Sequence, residues 1–420
     1  MPARAGLTIP TEADRLPLLD LVRGVAVLGI LAINLGAYAG PIAASLSPHL
    51  PDPGSRADEA WFALNTIIFE GKMRALFTLL FGASLLLFID RAEARDPGDP
   101  AAGERLQLRR LGWLALFGYL HFLLLWWGDI LFTYAIAGFA ALAFRQARPA
   151  ALMIAGITLF AGWHLTMAAV GLPQIRAEER VLQAVAPPAE AQAYARERRK
   201  DAVATARELA GYRRGFAAQV IGKLSTQPDE PLRAAVGTLG ESLPLMLIGM
   251  ALFRTGLYAG HWSRRRLASL AALGIGIGGL LTVLLVAFAW SRHFPPVRMV
   301  QMLAYHMALP HLLMALGYLA TLILAAPALL RTALGDRLVA AGRMAFSNYL
   351  GMTVVMTSLF YGWGLGWVGR VPEHWLWPFL LGGWALMLGW SRPWLARFRH
   401  GPLEWLWRCL THGRWMPLRR

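Results

Sequence analysis

The sequence contains one cysteine and only three lysines, and each shortage excludes a kind of chemistry. Because Cys409 stands alone, the chain forms no internal disulfide and carries no CxxC metal or redox motif. Positive charge comes almost entirely from arginine, since lysine occurs only as Lys72, Lys200 and Lys223. We therefore expect no catalysis by cysteine.

Charged residues are scarce at 16% of the chain, whereas 56% of the residues are hydrophobic and the mean hydropathy is +0.45. Such a composition, with its long uncharged runs, excludes a soluble globule and predicts an all-α, polytopic helical membrane protein. The formal net charge of +16 would also suit a protein that binds nucleic acid. Membrane topology explains this charge better, so the expected partner is a lipid bilayer and no nucleic acid is expected.

A spanning helix needs about 20 mostly apolar residues, and on that rule we predict about ten transmembrane helices. The second is interrupted by the polar residues 70–74, which fits a broken or re-entrant helix. The first resembles a signal peptide, because Arg15 and Arg23 precede its apolar run, but we expect it to be retained as a helix. The predicted spans are residues 18–38, 67–89, 108–127, 130–144, 151–171, 236–258, 267–290, 299–324, 344–363 and 375–390.

Arginines concentrate in the segments that flank alternate spans, and such a bias places those segments in the cytoplasm. On this rule both termini are cytoplasmic, and we expect a multi-pass protein of the bacterial cytoplasmic membrane. The short outer loops then hold only Arg56, Arg292, Arg298 and Arg370. The inner segments hold Arg4, Arg15, Arg91, Arg95, Arg105, Arg109, Arg110, Arg145, Arg148, Arg254, Arg264, Arg265, Arg266, Arg331, Arg337, Arg343 and seven arginines after Ser391.

The chain divides into four parts. Residues 1–171 and 235–392 are transmembrane halves of five helices each, and residues 172–234 are a charged extracytoplasmic helical segment. We interpret this segment as a solvated helical excursion, which is either a linker between the halves or a cap over a cavity. Residues 393–420 alternate arginine with tryptophan, which predicts a helix in the inner interface that contacts anionic lipid. A homodimer is an open alternative for the assembly.

Residues 106–144 carry the main candidate site. They form two apolar spans separated only by residues 126–129, which predicts a tight helical hairpin. An ionisable side chain inside a bilayer costs roughly 2.5 to 3.5 kcal/mol, so it normally faces the bundle interior or a wet cavity. We interpret His121, inside the first span, as a general base that the Asp129 carboxylate orients. The alternative is a buried histidine that hydrogen-bonds a neighbouring helix.

Eight polar groups from six spans fall at one depth near the outer side, which predicts a cavity open to the outside. Among them, Glu241 is either a second acid or proton-relay group of this cavity, or the ion-pair partner of Arg74 or Lys72. His306 and His311 are five residues apart and face different ways on a helix, so no metal site is predicted. The eight groups are Asn34, Glu70, Lys72, Arg74, His121, Asp129, Glu241 and His306.

Asp20 and Arg23 lie one helical turn apart at the inner end of the first span. Either they form an ion pair that fixes helix packing, or Arg23 binds a phosphate. Arg343 lies at the inner end of the ninth span. Asn348, about a turn further on, is expected to hydrogen-bond across helices, and we group it with the substrate cavity.

Five motifs spread over nearly the whole chain carry a family resemblance. They are residues 15–24, 76–82, His121 with 128–131, 342–349 and 401–408. On these motifs the chain resembles the YeiB-like family of bacterial multi-pass membrane proteins, which is also described as domain of unknown function 418. The resemblance implies a polytopic membrane protein and leaves the activity open.

A second resemblance concerns function. Asp20, Arg23 with Gly24, the downstream Asn34 and the Phe-Gly pair at residues 81–82 look like the opening of the transmembrane acyltransferases. That group includes lysosomal heparan glucosaminide N-acetyltransferase. Its members take acetyl groups from cytosolic acetyl-CoA, deliver them to a sugar amine across the membrane, and use a histidine on the far side.

The acyltransferase resemblance implies roles for particular residues. Asp20, Arg23 and Arg343 would receive acyl-CoA as a co-substrate, and no permanently bound cofactor is implied. The histidine next along the chain is His49, whose spacing departs from that of the acyltransferases, so His49 and His121 are both candidate bases.

Two functions of different class follow. The first is an integral membrane acyltransferase that moves an acyl group from a cytoplasmic acyl-CoA to an extracytoplasmic envelope acceptor. The second is a proton-coupled transporter or permease in which His121, Asp129 and Glu241 relay protons, since broken helices are common in transporters. The enzyme needs a basic inner pocket, whereas the carrier needs no nucleotide.

Overall fold

A computed structural model of the protein describes residues 17–95, 98–99 and 101–420. Arg4 and Arg15, which entered the prediction of orientation, lie outside this part of the chain. Within the described residues the chain forms sixteen α-helices and no strand, which confirms the predicted fold class. The first eight are α1 (Pro17–Ala39), α2 (Arg56–Ile68), α3 (Lys72–Arg95), α4 (Ala102–Leu124), α5 (Leu131–Leu142), α6 (Pro149–Leu182), α7 (Pro188–Tyr212) and α8 (Phe216–Thr226).

The second half of the chain contains eight further helices and a π-helical turn, Met302–His306, that leads into α12. Short 3-10 turns lie at Ile42–Ser45 and Glu373–Trp375. The eight helices are α9 (Glu230–Arg254), α10 (Arg264–Ser291), α11 (Pro296–Gln301), α12 (Ala308–Leu329), α13 (Ala333–Arg343), α14 (Ala345–Phe360), α15 (Trp377–Arg397) and α16 (Pro402–His412).

Six helical stretches of the described chain are long and apolar enough to span a bilayer. Four other predicted spans appear as α4, α5, α14 and α15. Of these, α5 and α14 have only 12 and 16 residues. Because α5 packs between α4 and α9, it needs no full lipid-facing length of its own. The six stretches are Pro17–Ala39, Arg56–Arg95, Pro149–Leu182, Glu230–Arg254, Arg264–Ser291 and Ala308–Leu329.

The break predicted in the second span lies between α2 and α3. Gly71, between the two helices, has a φ of +74°, which side chains rarely adopt. A Cβ on this residue would also lie 2.0 Å from Nδ1 of His311. Residue 71, between Glu70 and Lys72, is therefore required to be glycine.

Helix α1 lies at the centre of the bundle and packs against α3, α13 and α14. Its crossing with α13 is close because each helix places a glycine against the backbone of the other. A Cβ on Gly24 would lie 2.0 Å from the carbonyl oxygen of Leu338, and a Cβ on Gly342 would lie 1.8 Å from that of Asp20. This contact holds the end of α13, with Arg343, beside Asp20.

The charged segment of residues 172–234 is helical and packs on one end of the bundle. Its predicted start falls inside α6, which continues to Leu182. The ring of Tyr212 stacks on Tyr361 with centroids 4.6 Å apart. Lys223 of α8 donates to the carbonyl oxygen of Phe122, at the last turn of α4, over 2.7 Å. The segment thus lies where α4 and α14 end, which we call the far end.

The opposite end, which we call the basic end, gathers the arginine-rich segments. Arg145 after α5 pairs with Glu93 of α3 at 3.2 Å and with Glu104 of α4 at 2.9 Å. The tail helix α16 packs on the bundle, where Trp407 donates to the carbonyl oxygen of Arg110 over 2.9 Å, and its place in the inner interface stays a prediction. The tail is therefore part of the basic end of the fold.

Candidate functional site

A cavity of about 340 Å³, which we call the shaft, opens at the basic end between α1, α3, α4, α14 and α16. Its inner walls are apolar and include Val27, Ile30, Leu80 and Leu114. Its outer walls are strongly basic. The basic lining residues are Arg23, Arg91, Arg95, Arg110, Arg343, Arg399, His400, Arg408 and His412.

The shaft reaches about halfway along the bundle. Its lining covers about 17 Å of α1, from Leu19 to Ile30, and about 12 Å of α4, from Leu106 to Leu114, at the rise of an α-helix. On α3 the lining runs about 27 Å, from Phe77 to Arg95. Because α1 and α4 continue to Ala39 and Leu124, the shaft closes well short of the far end.

Asp20 and Arg23 pair in the wall of the shaft, as the sequence allowed. Arg23 donates to Asp20 over 2.7 Å and to the hydroxyl of Ser84 over 3.1 Å. The Arg23 side chain retains 27% of its exposure, so it still faces the cavity. Together with Arg343, these two residues are brought to one place by the crossing of α1 and α13.

Arg110 and Arg343 at the mouth are held by different contacts. The guanidinium of Arg110 lies 4.3 Å from the ring centroid of Trp407 and 4.7 Å from that of Phe88. Arg343 donates to the carbonyl oxygen of Arg399 over 3.3 Å. Guanidinium groups positioned around a cavity are well suited to bind phosphate oxygens.

Glu404 of α16 joins the tail to the bundle at the mouth. Its carboxylate accepts from the backbone N–H groups of Phe346 and Ser347 at 2.8 and 3.0 Å, and so caps the start of α14. Burial raises the pKa of this carboxyl. Only Glu404 and Asp20 are acidic among the lining residues, so the mouth keeps a large excess of positive charge.

Two tyrosines close the inner end of the shaft. The hydroxyls of Tyr134 and Thr78 lie 2.7 Å apart. Tyr349 donates to the carbonyl oxygen of Gly128 over 3.3 Å, and its ring centroid lies 5.1 Å from that of His121. A single aromatic side chain thus separates the shaft from His121.

His121 belongs to a buried chain of hydrogen bonds. Its Nδ1 lies 2.8 Å from Oδ1 of Asp129, and its Nε2 lies 3.1 Å from the hydroxyl of Thr353. That hydroxyl lies 2.8 Å from the hydroxyl of Tyr38. The His121 side chain is fully buried and Asp129 is 3% exposed, so these bonds form away from water. The predicted pairing of His121 with Asp129 is present.

A neutral imidazole satisfies every donor in this chain. With a proton on Nδ1, His121 donates to the Asp129 carboxylate, and its Nε2 accepts from Thr353. Tyr38 then donates to Thr353. Asp129 also accepts from the backbone N–H of Phe132 over 2.7 Å, which fixes the carboxylate at the start of α5. This is the arrangement of a neutral imidazole ready to remove a proton.

A separate ionic cluster surrounds the break between α2 and α3. Arg74 donates to both carboxylate oxygens of Glu241, at 3.2 and 3.4 Å, and lies 3.6 Å from Glu70. Lys72 is fully buried and donates to a backbone carbonyl oxygen of α2 over 2.6 Å. His311 is 5% exposed, and within the described residues its Nε2 has no hydrogen-bond partner. The ion-pair alternative for Glu241 is thus the one present.

The outer polar groups do not form the single cavity expected of them. Asn34 hydrogen-bonds Tyr38 and so belongs with His121. His306 lies in the π-helical turn within electrostatic range of Arg298, outside both groups.

Two other candidate site residues, Asn348 and His49, make hydrogen bonds that stabilise the fold. Asn348 is fully buried and bonds to Ser391 at 3.1 Å, so it packs helices as predicted and does not line the shaft. His49 lies in a loop at the far end, where its Nε2 is 2.9 Å from Glu59.

Sequence reasoning missed several residues of the site. Thr353 and Tyr38 lie in apolar runs where a lone hydroxyl carries no signal. Arg110, Arg399 and Arg408 were used only to assign orientation, although their clustering also indicates an anion site. Among the described residues, no three His, Cys, Asp or Glu side chains come together as a set of metal ligands.

The fold and the site define a polytopic helical membrane protein with a deep, basic-mouthed shaft beside a buried histidine and aspartate. The chain belongs to the YeiB-like family. It is 30% identical to the uncharacterized protein YeiB of Escherichia coli K12, covering 94% of this chain and 95% of that protein. It is also 30% identical to the uncharacterized protein YxaH of Bacillus subtilis 168, covering 96% of both.

A third relative is an uncharacterized 39.9 kDa protein from the amylase 3′ region of Bacillus acidopullulyticus, with 24% identity over 96% of each chain. The family described as "Protein of unknown function (DUF418)" matches residues 252–414. No solved structure matches the chain. These comparisons confirm the predicted family.

Proposed function

We propose that the protein is an integral membrane acyltransferase that takes an acyl group from a CoA thioester at the basic end. The observation that supports this best is the shaft, which combines an arginine-lined mouth with apolar walls and ends against Tyr349 beside His121. CoA has the matching polarity, because its phosphates lie at one end and its reactive thioester lies at the end of a long, thin arm.

In this proposal the mouth binds the phosphates. Arg23, Arg110 and Arg343 provide guanidinium groups around the opening, and such groups bind phosphate oxygens through charge-assisted hydrogen bonds. The apolar walls then exclude water along the arm. The lined length, about 12 Å on α4 and about 17 Å on α1, lets a ligand anchored at the mouth reach the level of Tyr349.

His121 is the general base of the proposal, with Asp129 as its orienting carboxylate. We prefer His121 to His49 because it lies beside the closed end of the shaft, whereas His49 bonds to Glu59 in a loop of the far end. A base hydrogen-bonded to a fixed carboxylate removes a proton in the transition state, a contribution of about 10² to 10⁴ in rate.

We place the basic end in the cytoplasm of a bacterial cytoplasmic membrane and the acceptor on the far side. The support is the concentration of arginine at one end of the bundle, which is the pattern of cytoplasmic segments. The acceptor is then an envelope sugar or lipid that offers a hydroxyl or an amine.

Thermal stability of the purified protein in detergent, with acetyl-CoA and longer acyl-CoAs, tests the donor site. A ligand that binds only the folded state raises the melting temperature by mass action. We expect a shift in wild type and in His121→Ala, and a loss of the shift in Arg23→Ala. Arg331→Ala, an exposed arginine outside the shaft, is the matched control and should keep the shift.

The absence of a shift with every thioester would favour a proton-coupled transporter instead. The observation that favours this second candidate is the ionic cluster of Lys72, Arg74 and Glu241 at a helix break, since transporters bind substrates at broken helices. Uptake and efflux of candidate substrates by cells that express wild type and Glu241→Gln would then be measured.

A further inference from the structure

Thr353 has the surroundings of a nucleophile. Its hydroxyl lies 3.1 Å from Nε2 of His121, while Nδ1 of the same imidazole lies 2.8 Å from Asp129. A hydroxyl, a base and a carboxylate in this order form the arrangement that activates serine and threonine in covalent catalysis. The three residues come from α14, α4 and the turn after α4, so the fold brings them together over 232 positions of sequence.

The usual role of a threonine in a membrane helix is to bond the carbonyl oxygen one turn back, which needs no partner from another helix. Thr353 lies 3.1 Å from that carbonyl oxygen, on Tyr349. It also has two partners on other helices, His121 and Tyr38. Thr357, one turn further along α14, contrasts with it, because its hydroxyl bonds only to backbone carbonyls of its own helix.

We propose that Thr353 is the residue that accepts the acyl group, so that transfer proceeds through a threonyl ester. The proposal rests on the acyltransferase function proposed above. Its direct support is the position of the Thr353 hydroxyl between His121 and Tyr38, next to the residue that closes the shaft.

In the first half-reaction the Thr353 oxygen attacks the thioester carbonyl of acyl-CoA. His121 takes the hydroxyl proton at Nε2, the carbon–oxygen bond forms and the carbon–sulfur bond breaks. The proton passes from His121 to the departing sulfur, so that CoA leaves as a thiol. The Tyr38 hydroxyl, 2.8 Å from Thr353, is a hydrogen-bond donor for the oxyanion of the tetrahedral intermediate.

In the second half-reaction the acceptor attacks the ester carbonyl. His121 takes a proton from the acceptor hydroxyl or amine and returns it to the Thr353 oxygen as the ester bond breaks. Donor and acceptor never need to be bound at the same time. An ester on a buried helix therefore lets a cytoplasmic donor and an acceptor on the other side use one catalytic group in turn.

Tyr349 is the positioning residue of this proposal. It lines the shaft, lies one turn from Thr353 on α14, and contacts His121 through its ring. Its hydroxyl donates to the carbonyl oxygen of Gly128 over 3.3 Å and accepts from the backbone of Ile130. Rotation of this side chain would open the closed end of the shaft to Thr353.

An exchange reaction tests the ester directly. Purified protein is incubated with acetyl-CoA and isotopically labelled CoA without any acceptor, and label in acetyl-CoA is measured. We expect exchange in wild type, at least a ~100-fold loss in Thr353→Ala, and retention in Thr353→Ser, which keeps the hydroxyl. Thr357→Ala is the matched control and should exchange as wild type does.

Intact-protein and peptide mass spectrometry of the same samples should locate an added acetyl group on residue 353. Thr353→Ala must keep the CoA-induced thermal shift, which shows that it is folded and binds the donor. Wild type that binds CoA yet shows neither exchange nor adduct would overturn the threonyl ester, as would full exchange by Thr353→Ala. Wild type that binds no CoA would contradict the acyltransferase proposal itself.

Discussion

The two carboxylate oxygens of Asp129 have different hydrogen-bond partners, so a substitution can remove one interaction and keep the other. One oxygen accepts from His121 and the other accepts from the backbone of Phe132. In Asp129→Asn the amide oxygen can still accept from Phe132, whereas the carboxylate that stabilises charged His121 is gone. We expect a folded protein with CoA exchange reduced about 10² to 10⁴-fold, measured by the labelling assay.

The matched control for this prediction is Asp20→Asn, which removes a carboxylate from the mouth of the shaft. It should change the acyl-CoA concentration needed for half-maximal exchange more than the maximal rate. An Asp129→Asn protein that exchanges as fast as wild type would exclude Asp129 from catalysis.

Glu373 gives the protein a pH dependence at the far end. Burial raises its pKa from 4.5 to about 8, and the nearby Asp58 carboxylate acts in the same direction. The neutral acid therefore stabilises the fold fully below about pH 4.5, and this stabilisation is lost as the pH rises through about 8. Glu373→Gln remains neutral throughout.

We expect Glu373→Gln to melt at a higher temperature than wild type at pH 9, and the difference to disappear near pH 5. Glu197→Gln, on an exposed position of α7, is the control and should leave the pH dependence unchanged. Melting temperatures measured between pH 5 and 9 check the prediction. Equal slopes for wild type and Glu373→Gln would contradict it.

Site residues whose side chains are costly to place in a bilayer could be found from the sequence, and site residues with a low cost could not. A histidine within an apolar run is expensive in a bilayer, so His121 was identified, and Asp129 with it. Thr353 and Tyr38 are tolerated in any membrane helix, so only the fold shows that they adjoin His121. Glu241 was identified for the same reason as His121, but the sequence could not choose between a free acid and its pairing with Arg74.

The crossing of α1 and α13 leaves no room for an added methyl group at Gly24. Gly24→Ala would place a Cβ 2.0 Å from a carbonyl oxygen of α13, whereas Gly36 on the same helix has nothing within 4 Å. We expect Gly24→Ala to destabilise the protein by about 1 to 3 kcal/mol and to weaken CoA binding through displaced Arg343. Gly36→Ala should do neither, and thermal melts with and without acetyl-CoA compare the two.

Helices and breaks with a local sequence signal could be predicted, and helices whose packing depends on distant segments could not. The hairpin of α4 and α5 and the break at Gly71 were visible, because apolar runs and polar interruptions are local properties. The short helix α13 was missed, since its packing on α1 depends on a glycine contact between distant segments. The arginines and tryptophans of the tail predict an interfacial helix, whereas its attachment to the bundle through Trp407 and Glu404 depends on distant segments and could not be predicted.

For the whole molecule, the proposed orientation is testable with cysteine substitutions in a Cys409→Ala background. Asp201→Cys on α7 and Arg331→Cys after α12 are both exposed and lie at opposite ends of the bundle. We expect a membrane-impermeant maleimide to label residue 201 in cells whose inner membrane is sealed. Residue 331 should be labelled only in inverted vesicles, and the reverse pattern would invert the assignment.

The depth of the shaft also determines where the membrane voltage drops. When water and an anionic ligand fill the shaft, the potential of the basic end extends to Tyr349, about halfway along the bundle. The electric field then falls across the remaining half, which contains His121. One elementary charge that crosses the full potential gains about 2.3 kcal/mol per 100 mV. Proton movements of His121 should therefore respond to voltage, and turnover in vesicles should change when a potassium diffusion potential is imposed.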